Sequence, residues 1–364
     1  MTKDELYMMR CIELAKKGAG SVAHNPMVGA VLVHNEQIIS EGWHQRYGEA
    51  HAEVNCIKQA IEKGHADLIP HSTLYVSLEP CAHFGKTPPC SDLIIQHHIK
   101  KVVIGCRDPF KEVNGRGIEK LNAAGVETVV DVLKTECIDL NKRFFTFHQQ
   151  HRPYIILKWA QTANGKVGTA PLGPPEGGKN TDSGVLRLLI SNEFTNKIVH
   201  KWRSEEASIL VGTNTALLDD PQLTNRYWQG KQPVRVVVDM NLRLPSTLQL
   251  FNHDAKTIIF NTKKHNLAGD VQYYQIANDE NAVHEIMKAI YQLQLQTVLV
   301  EGGAQLLQSF IDTGLWDEAR VIENEKLKIE NGLTAPVLIN HQLVSEQNIL
   351  TDSIKIFKNL KYKI

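Results

Sequence analysis

The sequence predicts an α/β protein of two domains, and three observations point there. The chain has 364 residues, about twice what one core usually organises. Helix-period segments alternate with short β-branched apolar runs along most of its length. A polar stretch ending in proline, His148-Gln149-Gln150-His151-Arg152-Pro153, separates two such alternations, so the expected domains are 1–148 and 149–364. Apolar residues at 42% and charged residues at 22% let both halves bury a core.

Taken in order, residues 4–17 set Leu6, Met9, Ile12 and Leu14 near one helical stripe. Runs 28–33 and 37–42 flank His34-Asn35-Glu36, the pattern of a hairpin. Residues 51–63 read as helix, 72–77 as strand, 90–97 as helix and 101–105 as strand, which makes a layered α/β domain. Arg143-Phe144-Phe145 then offers apolar rings for packing. In the second half, 154–157, 208–211, 234–238, 257–260 and 297–300 are continuous and β-branched, as strands covered on both faces are. Helices at 192–203 and 305–312 would cover that sheet. Residues 170–179 hold three prolines and three glycines and are expected to form a loop.

Several classes are excluded at this level. The 40 basic and 40 acidic side chains cancel, which removes the usual electrostatic source of nucleic-acid binding. No apolar run approaches the ~20 residues that span a bilayer. The first residues, Met1-Thr2-Lys3-Asp4-Glu5, lack the apolar core of a signal peptide, so a cytoplasmic protein is expected. Six cysteines are too few for a disulfide scaffold in a chain this long. Cys11, Cys56, Cys106 and Cys137 lie in apolar patterns and are expected in the core.

The two remaining cysteines carry the chemistry. His51-Ala52-Glu53 is followed by Glu79-Pro80-Cys81 and then Cys90. One imidazole and two thiolates make a three-ligand zinc set with the fourth position left to solvent, the pattern of an open catalytic site. His-x-Glu followed by Pro-Cys and a second Cys is the signature of zinc nucleobase deaminases, in which the glutamate carries protons and does not bind the metal. Cys81 and Cys90 stand nine positions apart where three is usual, so the segment between them, with Gly85, Pro88 and Pro89, must loop out. Within a regular helix His51 and Glu53 would diverge by ~200°. Both reach one metal only if the pair sits at a helix start. A closed structural site, with His83 or His44 as fourth ligand, is the alternative.

Asn25-Pro26-Met27-Val28-Gly29-Ala30-Val31, His51-Ala52-Glu53 and the run from Leu78-Glu79-Pro80-Cys81 through Thr87-Pro88-Pro89-Cys90 resemble the bifunctional riboflavin-biosynthesis deaminase–reductases. The resemblance implies a cytidine-deaminase-like α/β/α domain, zinc on His51, Cys81 and Cys90, and Glu53 as catalytic group. It also implies a pyrimidine and ribosyl-phosphate pocket formed by Asn25, His44, His83, Lys86 and Asp108. Phe110 departs from the family, which has asparagine there.

The second half has no Gly-x-Gly-x-x-Gly fingerprint of a standard dinucleotide fold. Val298-Leu299-Val300-Glu301-Gly302-Gly303-Ala304 does join a strand to a helix through two glycines, where backbone N–H groups can meet a pyrophosphate. With Lys158-Trp159-Ala160, Leu210-Val211-Gly212-Thr213-Asn214-Thr215 and Asp219 through Arg226, it resembles the reductase half of the same family. That implies a dihydrofolate-reductase-like domain using NADPH and assembly of copies through this half. Ala160, Leu189, Thr215, Asp219, Gly303, Ala304, Gln305, Leu306, Leu307, Gln308 and Ser309 would face the cofactor. Arg187, Arg203, Leu223, Arg226 and Glu301 would face the substrate, with Arg203 and Arg226 as phosphate-binding forks. Asn164 stands where that family has aspartate, and Arg187-Leu188-Leu189-Ile190-Ser191 where it has Trp-Ile-Thr. Two rival functions are a nucleic-acid-editing deaminase and a non-catalytic protein stabilised by zinc.

Overall fold

Successive residues of a strand point to opposite faces, and β-strand 1 shows it directly: Ala30 and Leu32 enter one apolar cluster, Val31 and Val33 another. The computed structural model describes residues 1–84, 88–110, 113–169, 189–277 and 282–361. The chain divides into two compact units, Met1–His151 and Arg152–Lys363.

The first unit runs α1 (Lys3–Lys16), β1 (Gly29–His34), β2 (Gln37–Trp43), α2 (Ala52–Glu62), β3 (Thr73–Val76), α3 (Cys90–Gln96), β4 (Lys101–Ile104), α4 (Arg116–Ala123), β5 (Glu127–Val129), α5 (Lys134–Leu140) and α6 (Lys142–Gln150). Among the described residues its sheet has the order β2-β1-β3-β4-β5. β1 is antiparallel to both neighbours, and β3, β4 and β5 are parallel. The β1–β2 turn places Asn35 and Glu36 at φ 46° and 65°, the left-handed pair that a two-residue hairpin loop needs. Helices α2, α3 and α4 cover one face, while α1, α5 and α6 cover the other. Cys11, Cys56, Cys106 and Cys137 are free and buried, as expected. Helix α6 continues through Gln150, so the stretch read as a linker begins inside a helix.

One close approach positions the metal-binding helix. A Cβ on Gly42 of β2 would lie 2.3 Å from the Cys56 nitrogen and 2.4 Å from the Ala52 oxygen, so only glycine lets β2 lie this close to α2.

The second unit runs β6 (Tyr154–Thr162), β7 (Lys166–Thr169), α7 (Glu193–Glu205), β8 (Ser208–Gly212), α8 (Thr213–Asp219), β9 (Val234–Val238), β10 (Thr257–Asn261), β11 (Val271–Gln275), α9 (Ala282–Gln292), β12 (Thr297–Gly302), α10 (Ala304–Thr313), β13 (Glu318–Asn324), β14 (Gly332–Thr334), β15 (His341–Ile349) and β16 (Asp352–Asn359). Its main sheet, among the described residues, is ordered β11-β10-β9-β8-β12-β6-β13-β16-β15. Strands from β11 to β13 are parallel, and the β15–β16 hairpin adds an antiparallel edge. Helices α9 and α10 pack on one face, α7 and α8 on the other. The five continuous apolar runs are β6, β8, β9, β10 and β12, while β11, β13 and the hairpin were not anticipated. The expected loop at 170–179 lies outside the described residues.

Because β12 inserts between β8 and β6, the sheet changes winding direction there. Ligands of open α/β sheets bind outside the strand ends at such a switch point.

Candidate functional site

In the first unit, His51 is the residue just before α2, with extended backbone at φ −72° and ψ 169°. That break from helical geometry lets His51 and Glu53 approach one point. The Asn55 amide donates to the Trp43 and Ala50 carbonyls at 2.8 and 3.3 Å, tying the helix start to the end of β2. Cys90 opens α3, and its backbone N–H donates to the Cys81 sulfur at 3.3 Å. His51 Nδ1 lies 3.3 Å from Cys90 Sγ and 3.7 Å from Cys81 Sγ. All three donor atoms fall within 4.8 Å of one another. The Cys90 side chain, His51 and the Cys90 N–H all donate to Cys81 and lower its thiol, while the Cys90 thiol is raised by its bond to Cys81 and by burial. Two helix N-termini at one point favour negative charge there. Two soft sulfurs and an imidazole fit zinc. His83 and His44 do not join this group.

Glu53 is 3% exposed, and burial pushes its carboxyl up to about 7. Together with His51 and Cys81 it lines a cavity of about 310 Å³. Of the residues expected in that pocket, Asn25, His44, His83 and Asp108 all line it. His44 Nδ1 donates to the Ala50 carbonyl at 3.0 Å, so Nε2 accepts from the Asn25 amide at 3.1 Å. Both ring nitrogens are thus engaged, and burial lowers the ring's pKa. Asp108 is buried, with its carboxyl raised to about 7 by burial. Among the described residues, His83 Nδ1 is buried without a hydrogen-bond partner. Lys86 lies outside the described residues.

Sequence reasoning missed the aromatic wall of this cavity. Phe110 and Phe144 sit 5.1 and 4.4 Å from the His148 ring, centroid to centroid, and all three line the cavity. Only the departure at Phe110 hinted at it: Phe144 and His148 stand four residues apart on α6, but Phe110 comes from the segment after β4.

In the second unit, Glu301 at the end of β12 receives Arg203 Nε at 2.8 Å and Nη2 at 2.6 Å. Lys158 Nζ stands 3.9 Å away. Burial alone would raise the Glu301 carboxyl, but Arg203 and Lys158 outweigh it and hold it at about 2. Arg203 was expected to fork onto a phosphate; its fork is instead engaged by Glu301, and its Nη1 donates to the Thr224 carbonyl at 3.2 Å. Arg226 Nη1 donates to Thr224 Oγ1 at 2.9 Å, and its backbone N–H donates to His200 Nδ1 at 2.9 Å. His200 is driven down to about 4 by burial, then by Arg203 and Arg226. Neither Lys158 nor His200 was singled out from the sequence. Leu223, expected toward the substrate, is buried in the core with Val199 and Trp202.

Of the residues expected at the cofactor, Gly303 immediately precedes α10, which carries Ala304, Gln305, Leu306, Leu307, Gln308 and Ser309. A Cβ on Gly303 would fall 3.0 Å from Thr215 Oγ1, so Thr215 of α8 and the two glycines shape one cradle. Leu307 points into the core, whereas Gln305 and Ser309 are exposed. Ala160 lies in β6, Asp219 is exposed at the end of α8, and Leu189 is 77% exposed. Arg187 lies outside the described residues. Asn164 exchanges two hydrogen bonds with the Ile329 backbone, donating at 2.8 Å and accepting at 3.3 Å. Aspartate could not make the first of these.

An open His–Cys–Cys centre with a buried glutamate, in an α/β/α layer and followed by a mostly parallel α/β unit, defines a zinc deaminase fused to a second enzyme-like domain. Residues 1–106 match the cytidine and deoxycytidylate deaminase zinc-binding region, and residues 153–326 match the RibD C-terminal domain. The riboflavin biosynthesis protein RibD of Aquifex aeolicus is 39% identical over 331 residues, 89% of this chain and 87% of that protein. RibD of Escherichia coli is 31% identical over 342 residues, covering 89% and 88%. The crystal structure of a diaminohydroxyphosphoribosylaminopyrimidine deaminase/5-amino-6-(5-phosphoribosylamino)uracil reductase from Thermotoga maritima superposes with a TM-score of 0.83 at 35% identity, covering 98% of this chain and 99% of that one. The chain belongs to the RibD family of bifunctional riboflavin-biosynthesis deaminase–reductases.

Proposed function

We propose that the chain performs two consecutive reactions. Residues 1–148 deaminate 2,5-diamino-6-(5-phosphoribosylamino)pyrimidin-4-one hydrolytically, and residues 149–364 reduce the ribosyl side chain of the product to ribityl. The observation that carries this is the His51, Cys81 and Cys90 triangle, with His51, Cys81 and buried Glu53 lining one cavity.

In this reading His51, Cys81 and Cys90 hold zinc. The ion supplies Lewis acidity, which makes water a nucleophile at neutral pH. Glu53 takes one proton from the attacking water and gives it to the ring nitrogen, then carries the second, from the hydroxyl so formed, to the amine, which leaves as ammonia. Burial raises the Glu53 carboxyl, which helps it hold the proton in transit. A cation held alongside favours its ionised form, the one that accepts the proton. Asn25, His44, His83 and Asp108 orient the pyrimidine, and Lys86 meets the phosphate as a point charge.

NADPH supplies the hydride for the second reaction. The Gly303 cradle and the start of α10 suit its pyrophosphate, because backbone N–H groups are free to point there. Ala160, Leu189, Thr215 and Asp219 belong to the same proposed contact surface. Arg203 holds Glu301 ionised and oriented, so Glu301 can accept hydrogen bonds from sugar hydroxyls. Arg226 and Arg187 are left for the phosphate. Association of copies through the second unit belongs to the same proposal, and the outer edge of β15, with Leu343 and Val344 exposed, is compatible with it. A cytoplasmic location is part of the same proposal. Among the described residues no helix is long and apolar enough to cross a membrane.

The test is to incubate the protein with the diaminopyrimidinone, with and without NADPH, and to follow ammonia release and NADPH absorbance together. Ammonia in both mixtures and NADPH consumption in the second are expected. Absence of ammonia would reject the deaminase reading. Ammonia without NADPH consumption would reject the reductase reading, and ammonia from oligonucleotides would favour an editing deaminase.

A further inference from the structure

Glu79 is a buried carboxylate that the proposed chemistry does not use. It is 4% exposed, yet its oxygens face a set of backbone donors. Oε2 accepts from the N–H of Asp108 at 3.2 Å and of Gly115 at 3.0 Å. Oε1 accepts from the N–H of Gly117 at 3.0 Å and of Ile118 at 3.3 Å. The Glu79 backbone N–H also donates to the Cys106 carbonyl at 3.0 Å. One residue therefore gathers both ends of the segment between β4 and α4.

Residue type matters here. A carboxylate is an acceptor on both oxygens, so it satisfies all four donors, whereas glutamine would turn an NH2 toward two of them. Gly117 and Ile118 lie in the first turn of α4, whose positive end favours a full negative charge. The segment so held carries Asp108, Phe110 and Val113, all on the cavity wall, and Glu79 itself lies two residues before Cys81.

We propose that Glu79 is a positioning residue of the deaminase, fixing the Asp108 wall of the cavity against the segment that carries Cys81. This rests on the deaminase reading above. Glu79 borders the cavity, but both its carboxylate oxygens are taken up by backbone donors, so it acts through the backbone of Asp108 and its neighbours.

The test compares wild type with Glu79→Gln, an isosteric change. Zinc content should be unchanged, because the three ligands keep their own anchors. Amide hydrogen exchange at Asp108, Gly115, Gly117 and Ile118 should accelerate by about tenfold or more, since two buried donors lose their acceptor. The KM of deamination should rise about tenfold while kcat stays within about threefold, the mark of a displaced binding wall. Glu79→Asp, which keeps the charge, should recover part of the KM, and it carries the same measurements if Glu79→Gln proves insoluble. Wild-type exchange and KM in the variants would overturn the proposal. Loss of zinc would also overturn it, since Glu79 would then serve Cys81 instead. Wild-type protein that releases no ammonia rejects the deaminase reading itself, while the exchange measurement still decides what Glu79 holds.

Discussion

Glu53 illustrates how burial converts an ordinary residue into a reagent. In water its carboxyl would be ionised at neutral pH and of little use as an acid; at 3% exposure it is pushed up to about 7. Glu53→Gln keeps the shape and removes the proton traffic. Zinc binding should persist, and ammonia release should fall by about 100- to 10,000-fold in a steady-state assay. Glu301 shows the opposite balance. There Arg203 and Lys158 overcome burial and hold the carboxyl at about 2, below its ordinary 4.5. A carboxyl depressed by folding contributes stability that is complete above its unfolded value and lost as pH falls toward the folded one. Wild type should therefore lose more stability than Glu301→Gln between about pH 5 and pH 2, as read by urea unfolding. Arg203→Ala leaves the buried carboxylate with Lys158 at 3.9 Å, and should cost about 3 kcal/mol in the same measurement at neutral pH.

At the scale of elements, the site depends on where helices begin. His51 precedes α2 and Cys90 opens α3, so two of the three metal ligands come from helix starts, and Cys81 comes from the loop after β3. Helix α2 is held at its depth by Gly42, and Gly42→Ala must push it outward. Overpacking of this kind costs about 1–3 kcal/mol, and the first consequence expected is weaker zinc retention under dialysis. This arrangement was legible because a metal demands particular residue types in a particular order, and His51 falls where an apolar helical pattern starts. Strands β6, β8, β9, β10 and β12 were legible for a similar reason: burial on both faces leaves a continuous apolar run. Strand β15 is exposed along nearly its whole length, so no one-sided pattern marks it. Strands β7 and β14 are too short to carry a period. Phe144 and His148 are an i,i+4 pair on α6, but Phe110 joins them from another segment, and the Arg203–Glu301–Lys158 cluster comes from residues far apart in sequence; no local spacing records such neighbours.

For the molecule as a whole, each unit carries its own sheet, its own two apolar layers and its own candidate site. Two chemistries on two cores should be separable. Chelation of the metal should abolish ammonia release yet leave NADPH oxidation intact when the deaminated product is supplied as substrate, followed by absorbance. Both activities falling together would contradict separate sites. The deaminase chemistry depends on three protein atoms holding one zinc ion and leaving a fourth position to solvent. Zinc-edge X-ray absorption on the purified protein tests that most directly. The expected result is one zinc per chain, with two sulfurs at about 2.3 Å, one nitrogen at about 2.0 Å and one light ligand that exchanges with added anions. A shell of four non-exchangeable protein ligands, or the same spectrum in Cys81→Ser, would contradict it.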